Sequence, residues 1–272
     1  MDKAKHSGFD RLSFHLALGL AAALGVLLLA MPTVIVMITS FTSGYSLKFP
    51  PPGYSIRWYE ALFLDSPEII DAFMLSLHLA FVAAIFSTLL ATAAALALAR
   101  NRALWARLMD SIFMSPLMLP SLALGLGILM LFNLLGQGLS FSTLVAGHVA
   151  ICTPYVLRTA SASYAQLDPV ILDCSHSLGA TPWFTFKRIE LPALLPGIAT
   201  GAFIAFMSSL DNVALSLFLS DARSEVLPIR LWHIIEDSLD VRAAAASGAL
   251  IIATLLLLVL MERFAGISKY MK

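Results

Sequence analysis

Residues 70–99 decide the fold class: they read IDAFMLSLHLAFVAAIFSTLLATAAALALA, with one acidic residue, Asp71, and no lysine or arginine. A bilayer core about 30 Å thick is crossed by a helix of about 20 apolar residues. Isolated backbone polar groups cannot be satisfied in lipid, so each span must be a helix or be shielded by one. The sequence therefore predicts an all-α membrane protein. The six predicted spans are residues 14–41, 70–99, 108–135, 139–164, 191–219 and 241–265.

The composition of the whole chain excludes several classes of soluble protein. Of the 272 residues, 59% are apolar and 12% are charged, whereas soluble domains usually have about 45–50% apolar and about 25% charged residues. This composition makes membrane lipid the expected surrounding. The 17 basic and 17 acidic residues balance, so no net charge attracts nucleic acid. Two cysteines, Cys152 and Cys174, are too few for a disulfide framework or a cysteine-rich metal site.

Basic residues are distributed unequally between the two sides of the predicted bundle. The side richer in lysine and arginine faces the cytoplasm. Twelve of the 17 flank the two termini and the second and fourth connections: Lys3, Lys5, Arg11, Arg100, Arg102, Arg107, Arg158, Lys187, Arg188, Arg263, Lys269 and Lys272. The opposite side has five, namely Lys48, Arg57, Arg223, Arg230 and Arg242. Both termini are therefore predicted to be cytoplasmic, which agrees with an even number of spans.

The connection between the fourth and fifth predicted spans is too long for a turn and too polar to cross the membrane. Residues 167–190 read LDPVILDCSHSLGATPWFTFKRIE. Asp168 and Pro169 are the residue types preferred at the N-cap and the first position of a helix, and Gly179 is the expected C-terminal glycine. A Thr-Pro pair two residues later begins a second short helix. The pattern predicts a cytoplasmic helix–turn–helix element that pushes on, or is pushed by, another protein.

At these residues the chain resembles the inner-membrane permease subunits of binding-protein-dependent ABC importers. Their cytoplasmic signature is Glu-Ala-Ala, three residues, Gly, about nine residues, then an apolar residue, a variable one and Leu-Pro. The matching residues are Asp173-Cys174-Ser175, Gly179 and Ile189-Glu190-Leu191-Pro192. Asp in place of Glu keeps the charge on a shorter side chain, and Cys-Ser in place of Ala-Ala keeps the side chains small.

The resemblance extends along most of the chain and is greatest to the second permease subunit of spermidine/putrescine importers. It includes Ser40–Ser43, Arg57–Tyr59, Met114–Pro116, Thr153–Tyr155 and Leu210–Asn212. It implies the type I importer permease fold, with six transmembrane helices in a single domain over residues 1–272 and a coupling helix between helices 4 and 5. It also implies a multi-pass protein of the bacterial inner membrane.

The resemblance further implies how such a chain is driven. The coupling helix would sit in a groove on an ATP-binding subunit, and the residues assigned to this contact are Asp173, Cys174, Ser175, Leu178, Gly179 and Ala180. The implied partners are two ATP-binding cassette subunits, a second and different permease subunit, and a periplasmic or extracytoplasmic solute-binding protein.

The sequence favours a transporter over an enzyme. It contains no nucleotide-binding loop of the form Gly-x-x-x-x-Gly-Lys-Ser/Thr, so ATP hydrolysis is expected on a partner. A metal-ligand cluster and a nucleophile with its base are also missing, so we expect no metal, no cofactor and no catalytic residue. The histidines that stand singly in the spans, His148 among them, are interpreted as hydrogen-bonded structural residues.

Asp211 is the acidic residue that most needs an explanation, because it lies in the fifth predicted span. A charge at the bilayer centre costs about 3 kcal/mol and usually faces a cavity or a partner. At about 1.5 Å per residue from Leu191, Asp211 lies near the outer end of that span. Two interpretations stay open: a substrate-pathway carboxylate acting with Asn212, or a structural ion pair or interface charge. Polyamine permeases tend to have two acids here.

Prolines and one outer segment predict further local structure. We expect Pro116 and Pro120 to kink the third span, and Pro192 and Pro196 to separate the fifth span from the cytoplasmic element. Residues 221–240 carry apolar side chains at near-helical spacing, which predicts an amphipathic interfacial helix, either a packing lid or part of an outer gate. These side chains are Ile229, Trp232, Ile235 and Leu239.

The predicted function is the permease subunit of an ATP-driven importer, forming half of the membrane pathway for a small polar solute. The expected solute is a polyamine or a related amine-bearing compound. One alternative is an importer of another solute, such as an aminophosphonate or an opine. The other is a stand-alone secondary transporter or channel, which would have no need of a cytoplasmic docking helix.

Overall fold

A computed structural model of the chain describes residues 3–101, 103–221, 225–238 and 240–265. Arg102, Arg223, Leu239, Lys269 and Lys272, which the sequence argument used, lie outside these ranges. Within them the regular structure is helical, and Thr42 and Tyr54 form an isolated β-bridge. The predicted all-α class is confirmed. The helices are α1 (Lys3–Ser40), α2 (Arg57–Leu64), α3 (Pro67–Ala99), α4 (Leu104–Met118), α5 (Ser121–Leu134), α6 (Phe141–Tyr164), α7 (Pro169–Ser177), α8 (Pro182–Thr185), α9 (Leu191–Leu210), α10 (Val213–Leu219), α11 (Leu227–Ser238) and α12 (Val241–Ala265).

Several of these helices are long and apolar enough to cross a membrane. In the described part of the chain there are four: Phe14–Ser40 in α1, all of α3, the continuous run Pro182–Leu210, and Val241–Leu260 in α12. The bent pair of α4 and α5 could form a fifth. The predicted fourth span coincides with α6, which has 24 residues but is more polar. The count of six spans and the cytoplasmic termini stay predictions.

The chain divides into two compact units, of which the first comprises residues 1–67 and 234–255. In this unit the segment between α1 and α2 is held by Arg57. Its guanidinium carbon lies 4.1 Å from the centre of the Tyr45 ring and 4.7 Å from that of Trp58, and Nη2 donates to the Gly44 carbonyl at 3.0 Å. The Trp58 indole donates to the same carbonyl at 3.0 Å. These contacts fix the long loop before α2.

The second unit comprises residues 68–233 and 256–272, and α6 is its central helix. Eleven residues of α6 are buried, and the helix packs against α4, α5, α9 and α10. Among the buried residues is His148. Because protein rather than lipid surrounds much of α6, this helix can be more polar than the others.

The third predicted span is not a single helix. The axes of α4 and α5 meet at 112°, and two residues, Leu119 and Pro120, lie between them. Leu119 is extended, as expected before a proline. Pro116 lies inside α4. It leaves the Ile112 carbonyl without its helical partner, and the Ser115 hydroxyl donates to that carbonyl at 2.8 Å. The expected kink is therefore a complete break, and it lies at Pro120.

The fifth predicted span also differs from the expectation. It divides into α9 and α10, with the break at Asp211 and Asn212. The expectation that Pro192 and Pro196 separate this span from the cytoplasmic element is wrong, because the chain is helical without interruption from Pro182 to Leu210. A π-helical turn, Phe186–Glu190, ends two residues before Pro192. The wider turn gives the proline ring room, so the helix continues through it.

The segment predicted to form an amphipathic outer helix is helical over α11 (Leu227–Ser238), and its place at the membrane interface stays a prediction. Its first residue, Leu227, donates its backbone N–H to the Ser76 hydroxyl of α3 at 2.8 Å. Ile229 is buried, whereas Trp232 and Ile235 are exposed.

The close packing of α6 and α9 depends on Gly201. A Cβ at this position would lie 2.7 Å from the Val156 Cα and would also meet the Thr159 hydroxyl, so Gly201→Ala forces the two backbones apart. We expect a loss of about 1–3 kcal/mol, seen as a melting temperature several degrees below that of the detergent-purified wild type. Gly127→Ala in α5 is the control, because nothing lies within 4 Å of a Cβ there. Equal melting temperatures for the two variants would contradict the packing argument.

Candidate functional site

The cytoplasmic element begins as its sequence predicts. The Asp168 carboxylate accepts a hydrogen bond from the Val170 N–H at 2.9 Å, and Pro169 is the first residue of α7. The side chain thereby satisfies one of the N–H groups that have no partner within the helix. The start of α7 is thus fixed by two adjacent residues and needs no tertiary contact.

Gly179 ends α7 and turns the chain toward α8. Its φ of +75° lies in the left-handed region, where a residue with a Cβ is strained. The Gly179 N–H donates to the His176 carbonyl at 2.9 Å, and the Ala180 N–H donates to the Ser175 carbonyl at 3.1 Å. These two bonds form a Schellman motif. The Thr181 hydroxyl then accepts from the Phe184 N–H at 3.3 Å and caps α8.

Two buried hydroxyl groups hold the helix–turn–helix together. The Ser175 and Thr185 oxygens are 2.8 Å apart and hydrogen-bonded, which joins α7 to α8. The outer side of the element is apolar and exposed: Leu178 is 88% exposed and Trp183 is 68% exposed. Asp173 and Cys174 are also exposed. The element therefore has a rigid interior and an uncovered apolar surface.

Most of the residues predicted to couple to an ATPase line one groove beside this turn. The groove has a volume of about 620 Å³ and is lined by Ile171, Cys174, Ser175, Leu178, Gly179, Ala180, Thr181, Phe184 and Ile189. Five of the six predicted residues are in this set. The sixth, Asp173, is not in the lining, and its backbone carbonyl accepts from the Ser177 hydroxyl at 2.9 Å.

Glu190 is a buried residue of the site that the sequence did not reveal, because it stands at the variable position of the signature. Only 2% of this side chain is exposed. Arg100, which follows α3, donates to its carboxylate from Nε at 3.1 Å and also from Nη2. The hydroxyl of Tyr164, the last residue of α6, donates at 3.2 Å. A buried carboxylate needs such partners. An acidic residue beside an apolar run could therefore have indicated a buried, paired carboxylate, although the sequence does not show which residues pair with it.

The electrostatics of Arg100 follow from this arrangement. Burial disfavours the charged guanidinium, but the hydrogen bonds to Glu190 and Tyr164 and the attraction of the carboxylate outweigh it. The pKa of Arg100 is therefore raised above its ordinary value, so the guanidinium stays charged. The planar guanidinium matches the carboxylate with two donors, an arrangement that a lysine could not reproduce.

The two residues predicted for the substrate pathway lie together at the break between α9 and α10. The Asn212 side chain accepts from the Leu215 N–H at 2.9 Å and caps α10, so it has a structural task. Asp211 follows the last residue of α9 and is exposed.

His148 spans the same break. Its ring nitrogens lie 2.8 Å from the Ser209 hydroxyl and 3.1 Å from the Ser216 hydroxyl, on either side of Asp211 and Asn212. A neutral imidazole has one donor and one acceptor nitrogen, so it can pair with both serines. The interpretation of His148 as a hydrogen-bonded structural residue is confirmed.

Comparison with known proteins identifies the kind of chain that carries these features. A family model described as the inner membrane component of binding-protein-dependent transport systems matches residues 87–268. The chain is 31% identical over 235 residues to the spermidine/putrescine transport system permease protein PotC of Haemophilus influenzae, covering 86% of this chain and 90% of that protein. It is 33% identical over 216 residues to the putrescine transport system permease protein PotI of Escherichia coli, covering 77% and 76%.

Solved structures share the fold. A chain from the crystal structure of a bacterial ABC transporter involved in the import of the acidic polysaccharide alginate matches with a TM-score of 0.74, at 16% identity and with 97% of both chains covered. A chain of the inward-facing MetNI methionine ABC transporter gives a TM-score of 0.60, at 15% identity, over 72% of this chain and 94% of that one. At these identities the likeness concerns the fold, and it confirms the expected permease architecture. Since the family model also covers most of the sequence, the chain belongs to the family of inner membrane components of binding-protein-dependent transport systems, and it is a multi-pass protein of the inner membrane.

Proposed function

We propose that the chain is one permease subunit of an ATP-driven importer and forms half of the membrane pathway for a polyamine or a related amine-bearing solute. The observation that carries the importer assignment is the cytoplasmic element, whose signature residues line an exposed apolar groove. A stand-alone transporter has no use for such an element, and the family match favours the importer. The solute class is supported by the similarity to permease proteins named for spermidine and putrescine.

The partner of the groove is an ATP-binding cassette subunit. Exposed apolar patches on a rigid element mark interaction sites, and the chain has no nucleotide-binding loop of its own. Hydrolysis therefore takes place on the partner. ATP binding moves the element and shifts the membrane helices between inward- and outward-facing populations. The contacting residues are Asp173, Cys174, Ser175, Leu178, Gly179 and Ala180.

The complete importer contains more than this chain. In this proposal residues 1–272 form one permease domain of six spans with both termini in the cytoplasm. A second, different permease subunit completes the pathway, and two cassettes bind the cytoplasmic elements. An extracytoplasmic solute-binding protein delivers the solute, which explains why the permease itself need not have a deep specificity pocket.

Asp211 is the proposed contact for the cationic solute. The break between α9 and α10 interrupts a membrane helix, and such interruptions are tolerated where they line a cavity or a binding site. Asn212 has a neutral side chain that caps α10, so Asp211 is the acidic residue at the break. Asn212 supports the site by fixing the start of α10.

The assembly itself gives the first test. The tagged chain, purified gently from its native membrane, is expected to bring an ATP-binding cassette and a second six-span permease, which mass spectrometry would identify. A chain that comes alone, with no cassette even after crosslinking through the exposed Cys174, would refute the importer and favour the stand-alone transporter.

Gly179→Val tests the turn of the cytoplasmic element. A β-branched residue at a positive φ costs about 1–3 kcal/mol, and nothing lies within 4 Å of its Cβ, so strain in the turn is the main effect. We expect ATP-driven uptake in membrane vesicles to fall roughly tenfold while the membrane level of the protein is kept, a coupling effect of ordinary size.

Two matched variants serve as controls for this change. Gly179→Asn retains a residue that tolerates the left-handed region, and Gly136→Val places the same strain at φ +70° in the turn between α5 and α6. Both are expected to transport nearly as well as the wild type. Normal uptake by Gly179→Val would refute the docking role of the turn.

Asp211→Asn tests the proposed solute contact. Loss of the carboxylate is expected to raise the KM for radiolabelled spermidine by roughly tenfold, or about 1.4 kcal/mol, because one attraction to the cation is removed. The KM for acetylated spermidine, which has one charge fewer, should rise less. Glu60→Gln, at an exposed position of α2, is the control. Unchanged kinetics for both solutes would return Asp211 to a structural role.

A further inference from the structure

We infer that Arg100, Glu190 and Tyr164 form a joint that transmits the movement of the cytoplasmic element to the membrane helices. This inference rests on the proposed docking of the element on a cassette. The three side chains come from the end of α6, the residue after α3 and the π-helical turn before α9. The joint is therefore formed where three long helices end at the element.

The position of Glu190 closes the element into a loop. The chain leaves α6 at Tyr164, forms α7 and α8, and returns at Glu190, whose carboxylate accepts a hydrogen bond from the hydroxyl of Tyr164 at 3.2 Å. Both ends of the element are thus held at one point. A push on α7 or α8 therefore acts on the end of α6 as well as on α9, into which α8 continues without interruption.

Arg100 extends the joint to α3. Its Nε and Nη2 both donate to the Glu190 carboxylate, so the guanidinium plane fixes the orientation as well as the distance of the two groups. The carboxylate is buried, whereas the Arg100 side chain is 51% exposed. Separation of the pair would leave Glu190 buried without its cation, which is strongly unfavourable. The end of α3 must consequently follow the element when it moves.

The joint consists of other residues than the docking groove and has a different role. Glu190 does not line the groove, and its burial keeps it from touching a cassette. It acts through Arg100 and Tyr164, so it is a positioning residue. An ordinary structural ion pair would affect only the amount of folded protein, whereas this joint controls how much transport each ATP produces.

The test uses the complete importer, reconstituted in liposomes with its cassettes and its solute-binding protein. Glu190→Gln removes the charge in nearly the same shape, and Arg100→Lys keeps the charge but loses the two-donor geometry. The control is Arg107→Gln, at an exposed position of α4. For each variant, cassette content, ATP hydrolysis and solute uptake are measured.

We expect both joint variants to retain the cassette and to hydrolyse ATP, while uptake per ATP falls about tenfold for Glu190→Gln and less for Arg100→Lys. The control keeps the wild-type ratio. A wild-type ratio in the assembled Glu190→Gln importer would overturn the inference. A wild-type preparation without cassettes would instead refute the proposed function on which the inference rests.

Tyr164→Phe keeps the inference testable if Glu190→Gln does not assemble, because it removes a single hydroxyl. It is expected to lower uptake per ATP two- to threefold, in keeping with one lost hydrogen bond of about 0.5 kcal/mol. An unchanged ratio in Tyr164→Phe, together with failed assembly of Glu190→Gln, would assign the three residues to folding alone and overturn the inference.

Discussion

The structure depends on one constraint: in lipid, each backbone N–H and C=O group must find its partner within the protein. Long helices meet this requirement along most of the chain. At two of the interruptions, Pro116 and the break before α10, a nearby side chain supplies a hydrogen bond. Ser115 donates to the Ile112 carbonyl that Pro116 leaves open, and the Asn212 side chain accepts from the Leu215 N–H at the start of α10. The breaks are therefore stabilised features of the fold.

The same constraint explains where charge and irregular backbone are found. A polar group in a membrane helix is costly unless it is paired or faces water. His148 is buried in α6 and pairs with serines of α9 and α10, whereas Asp211 is exposed at the interruption between those two helices. The hydrogen bonds of His148 hold the break between α9 and α10 in shape, and the carboxyl group of Asp211 is exposed at that break. The two hydrogen bonds account for a structural role of His148, whereas the pathway role of Asp211 stays a proposal.

Local signals in the sequence predicted local structure well. The start and end of α7 follow from Asp168, Pro169 and Gly179, each of which acts on residues within one turn. Composition likewise predicted the all-α membrane class. The pairing of Arg100 with Glu190 could not be predicted, because 90 residues separate them and only the packing of the helix ends brings them together. The π-helical turn that carries the chain into Pro192 was missed because the proline alone predicts a break.

Local and long-range interactions have different tasks in the cytoplasmic element. Caps at Asp168 and Thr181 fix the start of α7 and of α8, and the Ser175–Thr185 hydrogen bond joins the two helices. The apolar groove of the element is exposed, and in the proposed importer an ATP-binding cassette subunit binds there. The element is joined to the membrane helices by the uninterrupted helical run Pro182–Leu210 and by the buried Glu190, which does not line the groove. In the proposed importer the docking groove receives the movement of the cassette, and the joint of Arg100, Glu190 and Tyr164 passes it to the membrane helices. The groove and the joint are formed by different residues. Changes in the groove should therefore alter partner binding, whereas changes in the joint should alter what the bound partner achieves.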